Sequence, residues 1–316
     1  MLKEDALIQR FTAPFGVPRA PFGPGDDAAL LSSQRGETCV TTDSVVEGVH
    51  FTRSHFSLAD IGYKALAVNL SDLAAMGARP SWFLCSLALP TAVSAREVSA
   101  LAAGMAPLAR AVGITLVGGN LTRAKQLSLT LTCAGEVPRG SAMRRDTARA
   151  GEKLYVTGTL GDARLGLMQL RAGQRKGAAI RRQKRPLPRL RAGQLARPWV
   201  SAGMDISDGL AVDLIRFCKA SGVGAEIEAA ALPISRALRS GLPSPMERVH
   251  CAVLGGEDYE LLLAVSPKAA RKFETALREA GVGVTEVGSL VRRPHVVFHG
   301  AGGKRLHIKG GFDHFA

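Results

Sequence analysis

The chain has 316 residues, 46% of them hydrophobic, with 35 Gly and 16 Pro spread between short elements; this suffices for one or two full cores, favours two domains, and excludes a disordered or fibrous chain. Of the formal charge of +14, residues 139–197 carry +13, from 16 Lys and Arg against three acids, so the remainder is nearly neutral and an evenly basic nucleic-acid-binding surface is excluded. Five cysteines, widely spaced and never in a CxxC pair, exclude a disulfide scaffold and a zinc ribbon and read as reduced, mostly buried residues.

Residues 3–12 have helical spacing, with Leu2, Ala6, Leu7 and Phe11 on one face and Pro14 ending the run. This N-terminus carries charges where a signal peptide needs an apolar stretch, and no run reaches the ~20 apolar residues of a membrane span. A soluble cytoplasmic protein is expected. A loop through Phe22-Gly23-Pro24-Gly25 leads into Asp26 and Asp27, and a short β-branched strand at 38–42 delivers Asp43 to its C-terminal end. Residues 60–76 fit a helix in which Ile61, Ala65, Val68 and Asp72 share a face, with Asn69 beside Asp72, so that this carboxylate points inward. A strand at 81–89, a helix at 94–112, a strand at 114–117 ending in Gly118-Gly119-Asn120, and a strand at 127–137 complete the first half.

Between 138 and 151 the chain gains Arg and loses apolar periodicity, which puts the boundary between domains 1–138 and 139–316 there. The second half restarts with a strand at 153–157 and helices at 161–172, 188–197 and 207–221. Strands follow at 223–228, 250–254, 258–265, 284–291 and 295–298, around a helix at 267–280. Both halves are α+β. The densest basic run, RKGAAIRRQKRPLPRLR at 175–191, reads as a solvated loop or helix face. Nucleic-acid or membrane contact is the alternative, although the run lacks the aromatic residues on which single strands stack.

The acids are distributed unlike those of an ordinary surface. Ten of the 27 lie in GDDAAL (25–30), TTDSVVEG (41–48), NLSDLAAMG (69–77), MDISDGL (204–210) and GGEDYEL (255–261), flanked by Gly, Ser, Thr and apolar residues. Six carboxylates, Asp26, Asp27, Asp43, Asp72, Asp205 and Asp208, come from four of these segments, and bringing them together without cations would be severely repulsive. Magnesium takes one or two carboxylates together with phosphate oxygens and water, so several ions would use such a set. Each pair alone reads equally as a turn or helix cap. Gly118-Gly119-Asn120 lets backbone approach an anion or forms a simple turn, and no Walker A or dinucleotide fingerprint is present. His50, Arg145, Glu257 and Phe312 carry no decisive spacing: each has a plain reading as a structural or solvated side chain.

Taken in order, GPGDDAALL, TTDSVVEGVHF, YKALAVNLSDLAAMGARP, YVTGTLGD, MDISDGL, GGEDYEL and GGFDHF closely resemble the bacterial thiamine-monophosphate kinases, ATP-using members of the aminoimidazole-ribonucleotide-synthetase-like (PurM-like) superfamily, along essentially the whole chain. The resemblance implies an α+β fold of two domains. The N-terminal one is mixed α/β, binds ATP and Mg²⁺ and contributes its sheet to a barrel in a homodimer; the C-terminal one is α+β. It implies transfer of a phosphoryl group from ATP to thiamine monophosphate, giving thiamine diphosphate, the last step in making that cofactor. By position, Asp27, Thr41, Thr42, Asp43, Asp72, Asp205 and Asp208 match magnesium ligands, Gly119, Arg145 and Ser207 match ATP contacts, and His50, Glu257 and Phe312 match contacts to the thiamine phosphate. Several Mg²⁺ ions and ATP are the implied cofactors, with no membrane and no nucleic acid as partners. Asn120 stands where the family commonly has Asp; its amide oxygen can still ligate a cation or contact the nucleotide, with one negative charge fewer. A purine-pathway ligase or selenophosphate synthetase of the same superfamily is the nearest rival, but the latter calls for an N-terminal catalytic Cys and the first 38 residues contain none.

Overall fold

The computed structural model describes residues 10, 13–16, 36–306 and 308 and divides into two compact units, one of residues 1–73 and 78–140, the other of residues 74–77 and 141–316. The expected helix at 3–12, and with it Asp26, Asp27 and Phe312, lies outside the described residues apart from Arg10.

In the first unit, β1 (Glu37–Val46), β2 (Arg79–Leu89), β3 (Thr115–Arg123) and β4 (Ser128–Val137) form a sheet in the order β1-β4-β2-β3, and only the β2/β3 pair is parallel. That pair needs a crossover, supplied by α2 (Ala95–Val112). Ser94 starts α2 by a reciprocal capping box with Glu97, and Gly113 ends it in the left-handed conformation at φ 71°. The other helix, α1 (Leu58–Ala75), crosses α2 closely: a Cβ on Gly62 would lie 2.0 Å from the Leu101 carbonyl oxygen, and one on Gly104 1.8 Å from that of Ala59. β1 is longer than its β-branched core suggests, so Asp43 lies inside the strand and not at its end.

The second unit carries seven strands in the order β11-β10-β7-β9-β5-β8-β6: β5 (Lys153–Thr157), β6 (Val200–Ile206), β7 (Gly224–Glu228), β8 (Glu260–Val265), β9 (Val284–Val291), β10 (Val296–His299) and β11 (Arg305–Leu306). All six residues of β8 are buried, as expected of a central strand covered on both faces. The helices are α3 (Asp162–Arg171), α4 (Ala178–Lys184), α5 (Leu190–Ala196), α6 (Leu210–Ser221), α7 (Arg236–Gly241), α8 (Pro245–Leu254) and α9 (Pro267–Glu279). Leu210, Leu214, Phe217 and Cys218 of α6 enter the core with Val156, Ile206, Ile227, Leu262, Val287 and Phe298.

Residues 250–254, expected as a strand, are the end of α8. The apolar run His250-Cys-Ala-Val-Leu fits either period, and the start signal upstream decides it: Ser244 caps the helix by accepting from the Glu247 amide, with Pro245 at the first helical position. Within the basic run, α4 was likewise not anticipated. Its Ala179, Ile180 and Gln183 are buried, and a Cβ on Gly166 of α3 would lie 2.2 Å from the Ala179 carbonyl oxygen.

Candidate functional site

In the first unit the candidate residues gather where β1 faces α1. Strand alternation puts Thr41 and Asp43 on one face, Thr42 and Ser44 on the other. Thr41 Oγ1 donates to Asp72 Oδ2 at 2.5 Å, and the Asp43 amide donates to Asn69 Oδ1 at 2.9 Å. Asn69 is fully buried and anchors itself through Nδ2 to the Ala65 carbonyl one turn back at 2.9 Å, so a single side-chain amide ties helix to strand. Asp72 remains half-buried and Asp43 exposed. The Thr42 hydroxyl turns away, donating to the Leu131 carbonyl at 2.9 Å and accepting from Thr132 Oγ1 at 3.3 Å, and so does not join Thr41 and Asp72.

His50 sits in the turn after β1. Its Nδ1 accepts from the Val46 amide at 3.1 Å, which puts the proton of the neutral ring on Nε2. Lys64 of α1, 1% exposed, donates to the His50 carbonyl at 3.3 Å and lies 5.2 Å from the Phe56 ring centre, a cation–π contact.

Gly118-Gly119-Asn120 is not a turn. β3 runs on through Arg123, pairing Gly119 with Cys85 and Asn120 with Ser86. A Cβ on Gly119 would lie 1.9 Å from the Cys85 carbonyl oxygen, so glycine here serves strand-to-strand approach. The register also separates the set. Asp43 pairs with Leu131, Leu131 with Cys85 and Cys85 with Gly119, three strand spacings of roughly 14 Å in all. Asn120 and Asp43 of one chain therefore do not share an ion.

In the second unit two motifs are laced together. The Glu257 amide donates to the Ser207 carbonyl at 2.7 Å, the Tyr259 amide to the Ile206 carbonyl at 2.9 Å, and a Cβ on Gly256 would approach the Ser207 carbonyl oxygen to 2.8 Å. Glu257 (φ 71°) and Tyr259 (φ 52°) are the only non-glycine residues with positive φ among those described. Such strain costs on the order of 1–3 kcal/mol per residue and persists only where the surroundings fix it. Here they do. Glu257 accepts from Gln183 Nε2 at 2.5 Å. Buried Asp258 accepts from the amides of Gly161 (2.5 Å) and Ala163 (3.0 Å) at the start of α3, while burial pushes its carboxyl up to about 7. Glu260, fully buried, accepts from Arg182 and Arg189 and from Thr157 Oγ1 at 2.7 Å.

Asp205, 6% exposed, is the penultimate residue of β6, two residues before Ser207. The Asp208 amide donates to Asp213 Oδ2 at 2.9 Å, and Arg216 pairs with both Asp208 and Asp213. Burial raises Asp213 to about 6 against the opposing hydrogen bond from the Asp208 amide. Arg145 is exposed and its carbonyl accepts from Ser221 Oγ at 2.8 Å, at the far end of α6 from Asp208. Twelve helical residues separate those ends by roughly 16 Å, so only an extended ligand touches both.

Asn69, Lys64, Gln183, Arg189, Asp213 and Arg216 were not anticipated as parts of the site. Lys64 within an apolar helical run, and Glu260 heading the apolar run Leu261–Val265, were legible as charges in need of partners. Nothing in the sequence names those partners. Among the described residues, no three His, Cys, Asp or Glu side chains converge in the manner of a metal site.

Two halves of one family match the chain: the AIR synthase related protein N-terminal domain over residues 25–137 and its C-terminal domain over residues 149–300. The thiamine-monophosphate kinase of Escherichia coli K12 is 39% identical over 302 residues, 93% of this chain and 92% of that protein. The chain belongs to the thiamine-monophosphate kinase family. It is accordingly an enzyme, a kinase, with the two-domain α+β architecture of that superfamily. The solved structure of the thiamine-monophosphate kinase from Stenotrophomonas maltophilia K279a superposes with a TM-score of 0.84 at 38% identity, covering 95% of this chain and 97% of that one. A complex of AaThiL with AMPPCP and TMP gives 0.79 at 31% identity, covering 91% and 90%. No helix among the described residues is long and apolar enough to cross a membrane.

Proposed function

We propose that the protein transfers the γ-phosphoryl group of ATP directly to the phosphate of thiamine monophosphate, giving thiamine diphosphate and ADP. The observation that carries this reading is family membership along nearly the full chain, including all five acid-bearing segments. The acceptor is a phosphate monoester whose second pKa is about 6, so near neutral pH it is mostly dianionic and needs no general base. What remains is to bring two anions into line and to neutralise charge as it moves.

The residues present suit magnesium. Thr41, Asp43 and Asp72 offer oxygen donors from one strand face and the helix opposite it, and so few carboxylates match an ion that takes the rest of its ligands from phosphate and water. Asp27, Asp205 and Asp208 complete the proposed set, without the Thr42 hydroxyl, which is turned to the Leu131 carbonyl, and with Asn120 serving the nucleotide or a separate ion. When bound, the ions would supply charge neutralisation of the phosphates. The chain's own part is positional. Asn69 holds the Asp43 backbone, Asp72 is oriented by Thr41, and Arg216 holds Asp208. Gly119, Arg145 and Ser207 serve ATP; His50, Glu257 and Phe312 serve thiamine monophosphate. A negative Glu257 complements the cationic thiazolium and amino-pyrimidine part of that substrate and would repel its phosphate.

A homodimer in the cytoplasm is part of the same proposal. β1 is an edge strand with Val40 58% exposed, an open edge suited to a second copy. The test is to incubate the protein with ATP, Mg²⁺ and thiamine monophosphate and to follow thiamine diphosphate. Turnover abolished by Asp72→Ala supports the reading, and no product at any Mg²⁺ concentration overturns it.

A further inference from the structure

Lys64 is a buried charge with no part in the proposed reaction. It stands among the apolar residues of α1, 1% exposed, with its ammonium 5.2 Å from the centre of the Phe56 ring and donating to the His50 carbonyl at 3.3 Å. Taking an ammonium out of water is costly even where partners are supplied, and an apolar side chain of similar volume avoids that cost. Stability of the fold alone therefore does not account for a lysine here.

The ties between α1 and the segment it covers follow one another in order, helix and strand running in opposite directions. Asp72 receives the Thr41 hydroxyl, Asn69 the Asp43 amide, and Lys64 reaches the His50 carbonyl. Lys64 lies about 12 Å back along the helix axis from Asp72. The first two ties hold proposed metal ligands, and the third holds the turn that carries a proposed substrate contact.

We infer that Lys64 is a positioning residue for His50: its hydrogen bond fixes the turn of residues 47–51 against α1, and so sets the spacing between the thiamine-phosphate contact at His50 and the metal ligands Asp43 and Asp72. This rests on the roles proposed above for those residues. The turn is shaped by its own backbone, the amides of Val49 and His50 donating to the Val46 carbonyl at 3.2 and 2.9 Å and the Gly48 amide to the Phe51 carbonyl at 2.8 Å. Bonds internal to the turn do not set its place relative to the helix. Phe51 and Phe56, with ring centres 6.5 Å apart, add buried apolar area, which is non-directional. The Lys64 hydrogen bond adds the fixed point. In-line transfer is sensitive to such a point, since a misplacement of about 1 Å can cost as much as ~10²-fold in rate.

The experiment uses the full-length protein, steady-state kinetics with each substrate varied in turn, and melting curves of every variant. Lys64→Met keeps the length of the side chain and loses the donor. It is expected to raise KM for thiamine monophosphate about tenfold, with KM for ATP within about twofold. In a His50→Ala background, which keeps the residue 50 carbonyl, Lys64→Met should change KM for thiamine monophosphate by less than about twofold, because residues acting through one another are non-additive. Its effect on the melting temperature should be the same in both backgrounds, which separates positioning from support of the fold. If Lys64→Met does not fold, Phe56→Leu takes its place. By removing the ring beside the ammonium it should raise KM for thiamine monophosphate about threefold, and again only in the presence of the His50 side chain. An unchanged KM, an equal rise for both substrates, or a rise of the same size in the His50→Ala background would overturn the positioning role and leave that of His50 standing. If His50→Ala itself leaves KM for thiamine monophosphate unchanged, the assignment of His50 falls and the inference with it.

Discussion

Replacing Glu260 with Gln tests the internal ion cluster of the second unit. In the native protein the fully buried carboxylate receives Arg182, Arg189 and the Thr157 hydroxyl. The substitution keeps the shape and the hydroxyl contact but leaves two guanidinium groups facing a neutral amide. Breaking a buried ion pair from one side costs about 3–5 kcal/mol because a charge is left uncompensated. The Arg182 and Arg189 side chains keep 17% and 26% of their exposure and can recruit water, which puts the expectation at the low end, about 3 kcal/mol. For a unit of about 180 residues that corresponds to a fall of about 6–12 °C in its Tm. Melting curves of both proteins at about 0.05 and 0.5 M salt check it, since a buried pair is screened far less than a surface one. A second variant separates charge from packing: with Glu260→Leu, Arg182→Met and Arg189→Met combined, most of the loss should return, because an apolar cluster of similar volume replaces the charges without stranding any. A fall below about 2 °C, or one that disappears in high salt, would refute the argument.

Asp258→Asn addresses pH. A carboxyl raised to about 7 in the folded state, above an unfolded value near ~3.9, favours folding while protonated. Its contribution is fully present below about pH 4 and is lost as pH rises through 7, by about 4 kcal/mol at most. Urea midpoints at pH 5 and pH 7 should therefore differ less for Asp258→Asn than for the native protein, and parallel shifts would contradict the assignment. Gly119→Ala should destabilise by about 1–3 kcal/mol, since its Cβ would meet the Cys85 carbonyl at 1.9 Å; Gly283→Ala, with nothing within 4 Å, is the control expected to be silent in the same melts. Asn120→Asp restores a charge the family commonly carries, and the Mg²⁺ concentration giving half-maximal turnover should fall. An unchanged Mg²⁺ dependence would mean that residue 120 does not meet a cation.

Much of this was legible in the chain. The spacing of Ile61, Ala65, Val68 and Asp72 located α1 and the inward-facing carboxylate, because helical period and apolar content agree there. The acids in Gly-, Ser- and Thr-flanked segments supplied the candidate residues of each unit. Legibility failed where local pattern is ambiguous or irrelevant. His250–Leu254 suits strand or helix equally, and only the Ser244 cap chooses. Gly118-Gly119-Asn120 suggests a turn until pairing with β2 shows that the glycines admit a neighbouring backbone. The basic run could not be read as internal, because charge density says nothing of a buried carboxylate some 70–80 residues away that accepts two of its members. Arg216 and Asp213 were missed for the same reason: an ordinary i, i+3 pair gives no sign that it also holds Asp208.

The short excursion of residues 74–77 into the second unit bears on how the chain can be divided. A Cβ on Gly193 of α5 would lie 2.0 Å from the Ala74 carbonyl oxygen, the Met143 amide donates to the Met76 carbonyl at 3.1 Å, and Arg197 donates to the Gly77 carbonyl at 2.9 Å. A fragment cut at Ser141 would lose these four residues, and with them the acceptors for Met143 and Arg197. The unit that packs as one body is thus not one stretch of gene. A single cut does not yield either half whole, and recombination that exchanged halves between relatives at residue 141 would leave each hybrid's second unit with residues 74–77 from the other parent.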